Sequence, residues 1–415
     1  MDLCNREHGK GKDVYKHKAL RLGLVGTRHT WALALMAQQH EVVPVIYFQS
    51  LPGRLSLPKE FMFKGHGGNI KHIINHGNNG ILDFSASINP LGYPENVRKV
   101  IVENFDTILH YPDIDCASLR KCIGQKVGNS EDEIIVGNGS TELFYLIPRA
   151  LKPTKGIVFQ PTFSEFAEAL KCSHAEVDNK ILKEEDDFCF TFREDRFDDK
   201  KIEMVFLCNP NNPTGQLVEK AVILSMAKLH PNITFVVDEA FIDFVDKPEK
   251  YSVINETGTM RNLIVVRSLT KFYGFPGLRI GYLVAHVDLV RKMMEYKEPW
   301  SVNALAQCAA MTAMEDKEFI SRSREFMFTE RLYLFHELSE IQGLSPYKPT
   351  ANYIFVKINI SCVTSPLLRE RLLGQGIAIR DCSNFIGLND NYFRIAVRTR
   401  EENMRLVSTL KTLLF

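Results

Sequence analysis

Ser268-Leu-Thr-Lys271-Phe-Tyr-Gly-Phe-Pro-Gly-Leu-Arg279-Ile-Gly-Tyr282 is the stretch on which the reading of this 415-residue chain turns. The lysine has a serine three positions before it and an arginine eight positions after it. A lysine amine that condenses with an aldehyde cofactor needs a basic neighbourhood to hold that cofactor's phosphate. A hydroxyl donor and a forked guanidinium supply one. Ser-x-x-Lys alone is a weak signal, because most lysines near serines are merely solvated.

Two upstream segments strengthen it. Phe206-Leu-Cys-Asn-Pro-Asn-Asn212-Pro-Thr-Gly215 reads as an apolar strand running into a turn, and Phe235-Val-Val-Asp238 as a second buried strand ending in a carboxylate. In an open α/β sheet ligands bind at the carboxyl ends of the strands, so an amide, a carboxylate and a lysine arriving there in succession can converge on one flat cofactor. The cofactor implied is pyridoxal phosphate. Asp238 suits its pyridine nitrogen, which a carboxylate keeps protonated so that the ring accepts electrons, and Asn212 suits its phenolic oxygen. Further upstream, Ile134-Ile-Val-Gly137-Asn-Gly139-Ser140-Thr141-Glu reads as a strand, a glycine turn and a helix start. Backbone N–H groups of Gly139, Ser140 and Thr141 can there cradle a phosphate.

The order phosphate cradle, amide, carboxylate, lysine, arginine resembles the fold-type I pyridoxal-phosphate enzymes, in the branch that holds the histidinol-phosphate aminotransferases. The resemblance runs from about Gly65 to the C-terminus. Gly65-His66-Gly67-Gly68-Asn69, Leu82-Asp-Phe-Ser-Ala-Ser87-Ile-Asn89-Pro and Ile379-Arg380-Asp-Cys-Ser-Asn-Phe are similar to the threonine-phosphate decarboxylases of cobamide biosynthesis. Phe241 points the same way, since aminotransferases of this fold usually carry there a tyrosine that donates to the phenolic oxygen. The resemblance implies that Tyr111 reaches the cofactor phosphate of a partner subunit, that Phe163 stacks on the ring, and that Ser268, Lys271 and Arg279 hold the cofactor. It also implies that Arg394 grips the substrate's α-carboxylate, that Arg380 and His66 bind the substrate's own phosphate, and that Gly67, Ser87, Asn89 and Asn212 line the substrate. One residue departs from the pattern. Where the decarboxylases usually have asparagine in contact with substrate, this chain has Ser87, which leaves both threonine phosphate and serine phosphate open as substrates.

The expected reaction is decarboxylation of an O-phosphorylated hydroxy amino acid, giving aminopropanol phosphate or ethanolamine phosphate for a cobamide linker. The bond on the α-carbon that stands perpendicular to the ring is the one that breaks, so anchoring decides the outcome. The alternative is an aminotransferase of the histidinol-phosphate type. A non-catalytic relative is disfavoured by the intact Lys271, Asp238, Asn212 and Arg279. A homodimer with a shared active site is expected, since Tyr111 is useful only if a neighbouring subunit presents it.

Bulk properties agree with an enzyme acting on a small molecule. With 45% hydrophobic and 24% charged residues the chain is an ordinary globular protein, and its net charge of +1 gives no electrostatic footprint for nucleic acid or an anionic membrane. Nine cysteines without a Cys-x-x-Cys pair predict free thiols in a reducing cytoplasm. His66, His72 and His76 lack the company of a metal site, so no metal is expected. No run reaches the ~20 apolar residues of a membrane helix. The fold class expected is α/β: a large cofactor-binding domain over residues 111–310 with a mostly parallel sheet, and a smaller α+β C-terminal domain over 311–415, completed by an N-terminal arm over 61–110. In the C-terminal domain a long helix is expected from Glu315 to Glu340, with strands at Tyr353–Lys357, Gly376–Arg380 and Tyr392–Val397. Residues 1–60 form an extension of unknown role, with strands expected at Leu22–Val25 and Glu41–Phe48 and a helix over Trp31–Gln39.

Overall fold

The computed structural model describes residues 80–414, Gly67 and Gly68, and the backbone of residues 34–38 and 41–45. The chain divides into two units, residues 1–63 and 64–415. In the first, strands β1 (Ala34–Gln38) and β2 (Glu41–Val45) pair antiparallel, with Gln38 opposite Glu41. The helix expected over Trp31–Gln39 is therefore corrected to a strand. Its Ala-Leu-Met composition favours helix, but two intervening residues bring it back beside Glu41–Val45, and pairing overrides propensity. The strand expected at Leu22–Val25 lies outside the described residues.

The second unit holds β3 (Leu82–Asp83), β4 (Ile134–Gly137), β5 (Lys155–Gln160), β6 (Glu176–Ile181), β7 (Ile202–Cys208), β8 (Thr234–Asp238), β9 (Leu263–Ser268), β10 (Gly281–Ala285), β11 (Leu344–Pro346), β12 (Tyr353–Ile358), β13 (Ile377–Ala378), β14 (Arg380–Asp381) and β15 (Tyr392–Ala396). Seven of them form one sheet in the order β4-β10-β9-β8-β7-β5-β6, parallel except for β10. Its inner strands are largely apolar without alternation because both faces are covered, whereas the edge strand β6, Glu-Val-Asp-Asn-Lys-Ile, has no buried residue. Val158, Phe206, Val236, Ile264 and Leu283 pack with Phe144 and Phe166 on one side, while Ile157, Leu207, Phe235, Val265 and Val284 join the main core on the other. The expected α/β architecture is what the chain adopts.

The C-terminal part carries a four-stranded antiparallel sheet, β11-β12-β15-β14, and a separate parallel pair, β13 with β3. Two expected elements are subdivided. The strand over Gly376–Arg380 breaks at the buried Ile379, because its first half pairs with β3 and its second with β15. The long helix begins at Lys317, since the Asp316 carboxylate accepts from the Phe319 N–H at 2.8 Å and so closes one helix, Ala304–Glu315, while opening the next, Lys317–Ser339.

Behind the strand ends lies a buried ion pair. Glu239 Oε2 accepts from Arg267 Nε at 3.0 Å, Arg267 Nη2 at 2.8 Å and Ser252 Oγ at 2.8 Å, and Oε1 accepts from the Val253 N–H at 2.9 Å. The pair ties β9 to the turn after β8, next to Asp238. Removing one partner leaves the other buried and uncompensated, so Glu239→Ala is expected to cost about 3–5 kcal/mol in urea unfolding, against under about 1 kcal/mol for a surface ion-pair control such as Arg261→Ala.

Candidate active site

The strand ends deliver the chemistry. β7 stops at Cys208 and β8 at Asp238, which are register partners; β9 stops at Ser268, and the short helix Leu269–Phe272 then carries Lys271. Asp238 is buried, with Oδ1 accepting from the Ala240 N–H at 2.9 Å and Oδ2 facing the Cys208 thiol at 3.6 Å. Burial pushes its carboxyl up to about 7 despite the opposing pull of those two donors and of Lys271. Burial, followed by the charges of Arg394 and Arg279, pulls the Lys271 amine down to about 8, so a neutral amine is within reach near neutrality.

The glycine turn that was expected to cradle a phosphate does open a helix. Gly139 caps the helix Ser140–Leu151 at φ 78°, a left-handed value, and a Cβ there would stand 2.4 Å from Arg279 Nη2. Glycine thus lets the guanidinium lie against the helix start, beside the N–H groups of Ser140 and Thr141. Ser268 Oγ lies 2.8 Å from Thr270 Oγ1. Phe163 is half-buried, edge-on to Phe144 and Phe166 at 6.3 and 5.5 Å, so its ring is braced from behind. Phe241 is buried edge-on against Tyr353 at 5.0 Å, and the Tyr353 hydroxyl is spent on the Asn211 carbonyl at 2.7 Å.

A second constellation is built on the C-terminal sheet. Arg380 and Arg394 stand directly opposite each other on β14 and β15, which places their Cβ atoms about 4.5–5.5 Å apart on one face. Arg394 donates to Asn212 Oδ1 and, at 2.9 Å, to the Ser85 carbonyl, with its guanidinium over the Tyr353 ring and its Nε unpartnered. Arg380 donates to Asn384 Oδ1 at 2.8 Å and to the Asp381 carbonyl, and lies over the Phe385 ring. No carboxylate pairs with either guanidinium among the described residues. Burial lowers the pKa of both.

The remaining expected residues fall into three groups. Ser87 is buried with an unpartnered hydroxyl. Gly67 packs so tightly that a Cβ would lie 2.1 Å from the Ser85 carbonyl oxygen that receives Arg394, and His66 lies outside the described residues. Asn89 is committed within the protein. Its Nδ2 donates to the Phe272 carbonyl at 2.8 Å and Ser323 Oγ at 2.9 Å, while its N–H donates to the Lys271 carbonyl at 3.0 Å, so it braces the lysine loop. Tyr111 is 82% exposed and packs against Trp300 with ring centroids 5.0 Å apart. Cys208, Tyr353 and Ser323 were not legible as site residues, because each acts through a partner distant in sequence, whereas Asn384 lies only four residues from its partner Arg380 and could have been found from that spacing.

This donor set fits pyridoxal phosphate: a glycine-lined cradle with an arginine against it, a buried carboxylate, and a buried amine with depressed basicity. The eight described cysteines are all free, and among the described residues no helix is long and apolar enough to cross a membrane.

The Asp238 carboxyl has a consequence for the protein without cofactor. Its folded pKa lies above its ordinary value of 3.8, so the stability it contributes is present below about 3.8 and lost as pH rises through about 7. Asp238→Asn is expected to flatten that fall, gaining about 2–4 kcal/mol over the unsubstituted cofactor-free protein above pH 7 in urea titrations while weakening cofactor binding. Parallel stability profiles for the two proteins would remove the desolvated carboxylate from the account.

Comparison with known proteins bears on this geometry. Residues 79–410 match the family model for aminotransferase class I and II. The chain is 35% identical over 355 residues to the threonine-phosphate decarboxylase of Salmonella typhimurium, covering 84% of this chain and 96% of that one. Among solved structures it is similar to L-threonine-O-3-phosphate decarboxylase from Porphyromonas gingivalis, with a TM-score of 0.72 at 28% identity over 80% of this chain and 98% of the other. It is also similar to the histidinol-phosphate aminotransferase from Clostridium acetobutylicum, with a TM-score of 0.75 at 29% identity over 80% of this chain and 99% of the other.

Proposed function

The chain belongs to the aminotransferase class I and II family, and from that premise we propose that it is a pyridoxal-phosphate-dependent decarboxylase of L-threonine phosphate or L-serine phosphate, forming the aminoalcohol phosphate of a cobamide linker. The observation that carries this reading is the cross-strand pair Arg380 and Arg394, two cations on one sheet face without a carboxylate partner among the described residues. Like charges directly opposite on a sheet repel. They are stable together when a ligand brings two anions, and an amino acid phosphorylated on its β-oxygen carries a carboxylate and a phosphate on a short spacer.

The division of labour follows the domains. Residues 111–310 hold the cofactor: Gly139, Ser140, Thr141, Ser268 and Arg279 its phosphate, Phe163 and Phe241 its ring, Asn212 its phenolic oxygen, Asp238 its ring nitrogen. Residues 311–415, with 61–110, hold the substrate: Arg394 its carboxylate, Arg380 and His66 its phosphate, and Gly67 and Ser87 the space between. When bound, the cofactor captures the substrate's amino group at its aldehyde carbon and accepts the electron pair that the carboxylate leaves behind. Asp238 favours this by keeping a proton on the nitrogen it faces. Arg394 and Arg380 together would fix the substrate so that the bond to the carboxylate is the one presented for cleavage, and Lys271 Nζ, holding as an ammonium the proton that the substrate's amino group gives up, would deliver it to the α-carbon. Overall, substrate and one proton give carbon dioxide and the amine.

Fold similarity does not separate this reading from an aminotransferase. The absence of a hydroxyl at Phe241 favours decarboxylation, and the adjacent Tyr353 does not replace it, since its hydroxyl is engaged by Asn211. Free thiols suit a reducing cytoplasm.

Cofactor-loaded protein is expected to release carbon dioxide from threonine phosphate, serine phosphate or both, read by gas evolution and product mass. The ratio of the two kcat/KM values reports what Ser87 does to the substrate's methyl group. Arg380→Ala should raise KM for either substrate roughly 100-fold with a smaller change in kcat. Amino transfer without carbon dioxide release would hand the site to the aminotransferases.

The exposed apolar run Phe105, Ile108, Leu109, Tyr111 and Ile114 supports a homodimer in which Tyr111 enters the neighbouring subunit's site. Tyr111→Phe is expected to leave the sedimenting species dimeric while weakening cofactor retention about tenfold, one charge-assisted hydrogen bond's worth. A monomer in the unsubstituted protein, or unchanged retention in the variant, refutes the shared site.

A further inference from the structure

Cys208 has no role in the reaction as described so far, yet it is the side chain next to the group that governs the cofactor's ring. It ends β7 opposite Asp238, which ends β8, and it is buried. Of the two carboxylate oxygens, Oδ1 takes the Ala240 N–H at 2.9 Å, and Oδ2 has Cys208 Sγ at 3.6 Å. We propose that Cys208 is a positioning residue for Asp238: its S–H donates to Oδ2, holds that oxygen in place, and sets how strongly the carboxylate attracts the proton on the cofactor's ring nitrogen. This rests on the pairing of Asp238 with that nitrogen.

The thiol has one hydrogen and three acceptors within reach, Asp238 Oδ2, the Pro210 carbonyl at 3.3 Å and the Thr162 hydroxyl, whose own proton goes to Asn211 Oδ1. The charged acceptor wins, since a hydrogen bond to an ionised group is about twice as strong as one to a neutral acceptor. The reverse choice would turn the sulfur lone pairs toward a carboxylate. Burial pushes the thiol's own pKa well above its usual range, so the donor persists across working pH. Other charged or titratable groups around Asp238 are already placed. Lys271 faces it from the helix Leu269–Phe272, Tyr353 from β12 with its hydroxyl on Asn211, and Glu239 follows it in the chain with its carboxylate engaged by Arg267, Ser252 and Val253.

A thiol is a weak donor, and that weakness is functional here. An amide or a cation at this position would draw on the carboxylate and reduce its pull on the ring proton. An apolar side chain would leave Oδ2 without a second donor and free to shift. Sulfur holds the oxygen at little expense to its basicity.

The test uses the cofactor-loaded protein reconstituted with pyridoxal phosphate labelled with ¹⁵N in the ring, whose resonance moves with the proton's position between the ring nitrogen and the carboxylate. Cys208→Ala is expected to move that resonance away from the protonated limit, as the proton shifts toward the carboxylate, and to raise by roughly half a unit the pH at which the shared proton is lost, because the carboxylate loses a competing donor. Cys208→Ser, which restores a donor in the same volume, is expected to bring the resonance back to the original position or past it. Asp238→Asn serves as the reference that removes the acceptor. If Cys208→Ala leaves the resonance unmoved while Asp238→Asn shifts it, the thiol donates to Pro210 or Thr162; the proposal then fails and the role of Asp238 stands. A shift in Cys208→Ala that Cys208→Ser does not reverse is a packing effect and also overturns it. Should Asp238→Asn leave the resonance where it was, the pairing itself is wrong and the proposal falls with it.

Discussion

An aspartate and a lysine are both held out of water at the ends of neighbouring strands, and most of the structure is a response to that constraint. Desolvation works against both charges at once, lifting the carboxyl and depressing the amine toward a common range near neutrality. Two such groups left to themselves would be a liability. Under the proposed function they become a matched pair for a flat heterocycle whose ring nitrogen carries a proton and whose aldehyde seeks a neutral amine. The two fully covered faces of the sheet keep water out, and the Glu239–Arg267 pair behind the strands stiffens the turn that aims Asp238.

The anion sites answer a different problem on the second sheet. Buried arginines are usually matched by carboxylates, and Arg267 and Arg331 are, through Glu239 and Asp246. Arg380 and Arg394 instead meet carbonyls, amides and aromatic faces, ligands that orient a guanidinium without neutralising it. Their positive charge is thereby left unneutralised by any carboxylate among the described residues. The contact from Arg394 to Asn212 joins the two constellations, since Asn212 follows β7 in the large sheet's strand-end cluster and Arg394 stands on β15 of the second sheet.

Much of this was legible in the chain because the decisive groups sit where local sequence places them. A carboxylate closing an apolar run, a Gly-x-Gly turn opening a helix and a lysine just past a strand announce their positions without tertiary information, and Asp238, Gly139 and Lys271 stand where those patterns put them. What stayed hidden depends on pairing. Nothing in Asn89 reveals that its amide meets Ser323, 234 positions later. Nothing near Ile379 shows that the chain changes partners there. Cys208 looks like one more apolar strand residue until the register sets it beside Asp238. The Trp31–Gln39 segment misled because alanine and leucine advertise helix irrespective of what lies across from them.

The short segment from Ser85 to Asn89 connects both halves of the pocket. Its first residue offers a carbonyl to Arg394, and its last takes the Lys271 carbonyl on its N–H and the neighbouring Phe272 carbonyl on its amide. Four residues of backbone span about 14 Å at full stretch, so this peptide is a tether of fixed upper length between the Arg394 guanidinium and the loop that carries Lys271. How far apart those two cationic groups can be carried is therefore bounded by covalent geometry, whatever the side chains around them do.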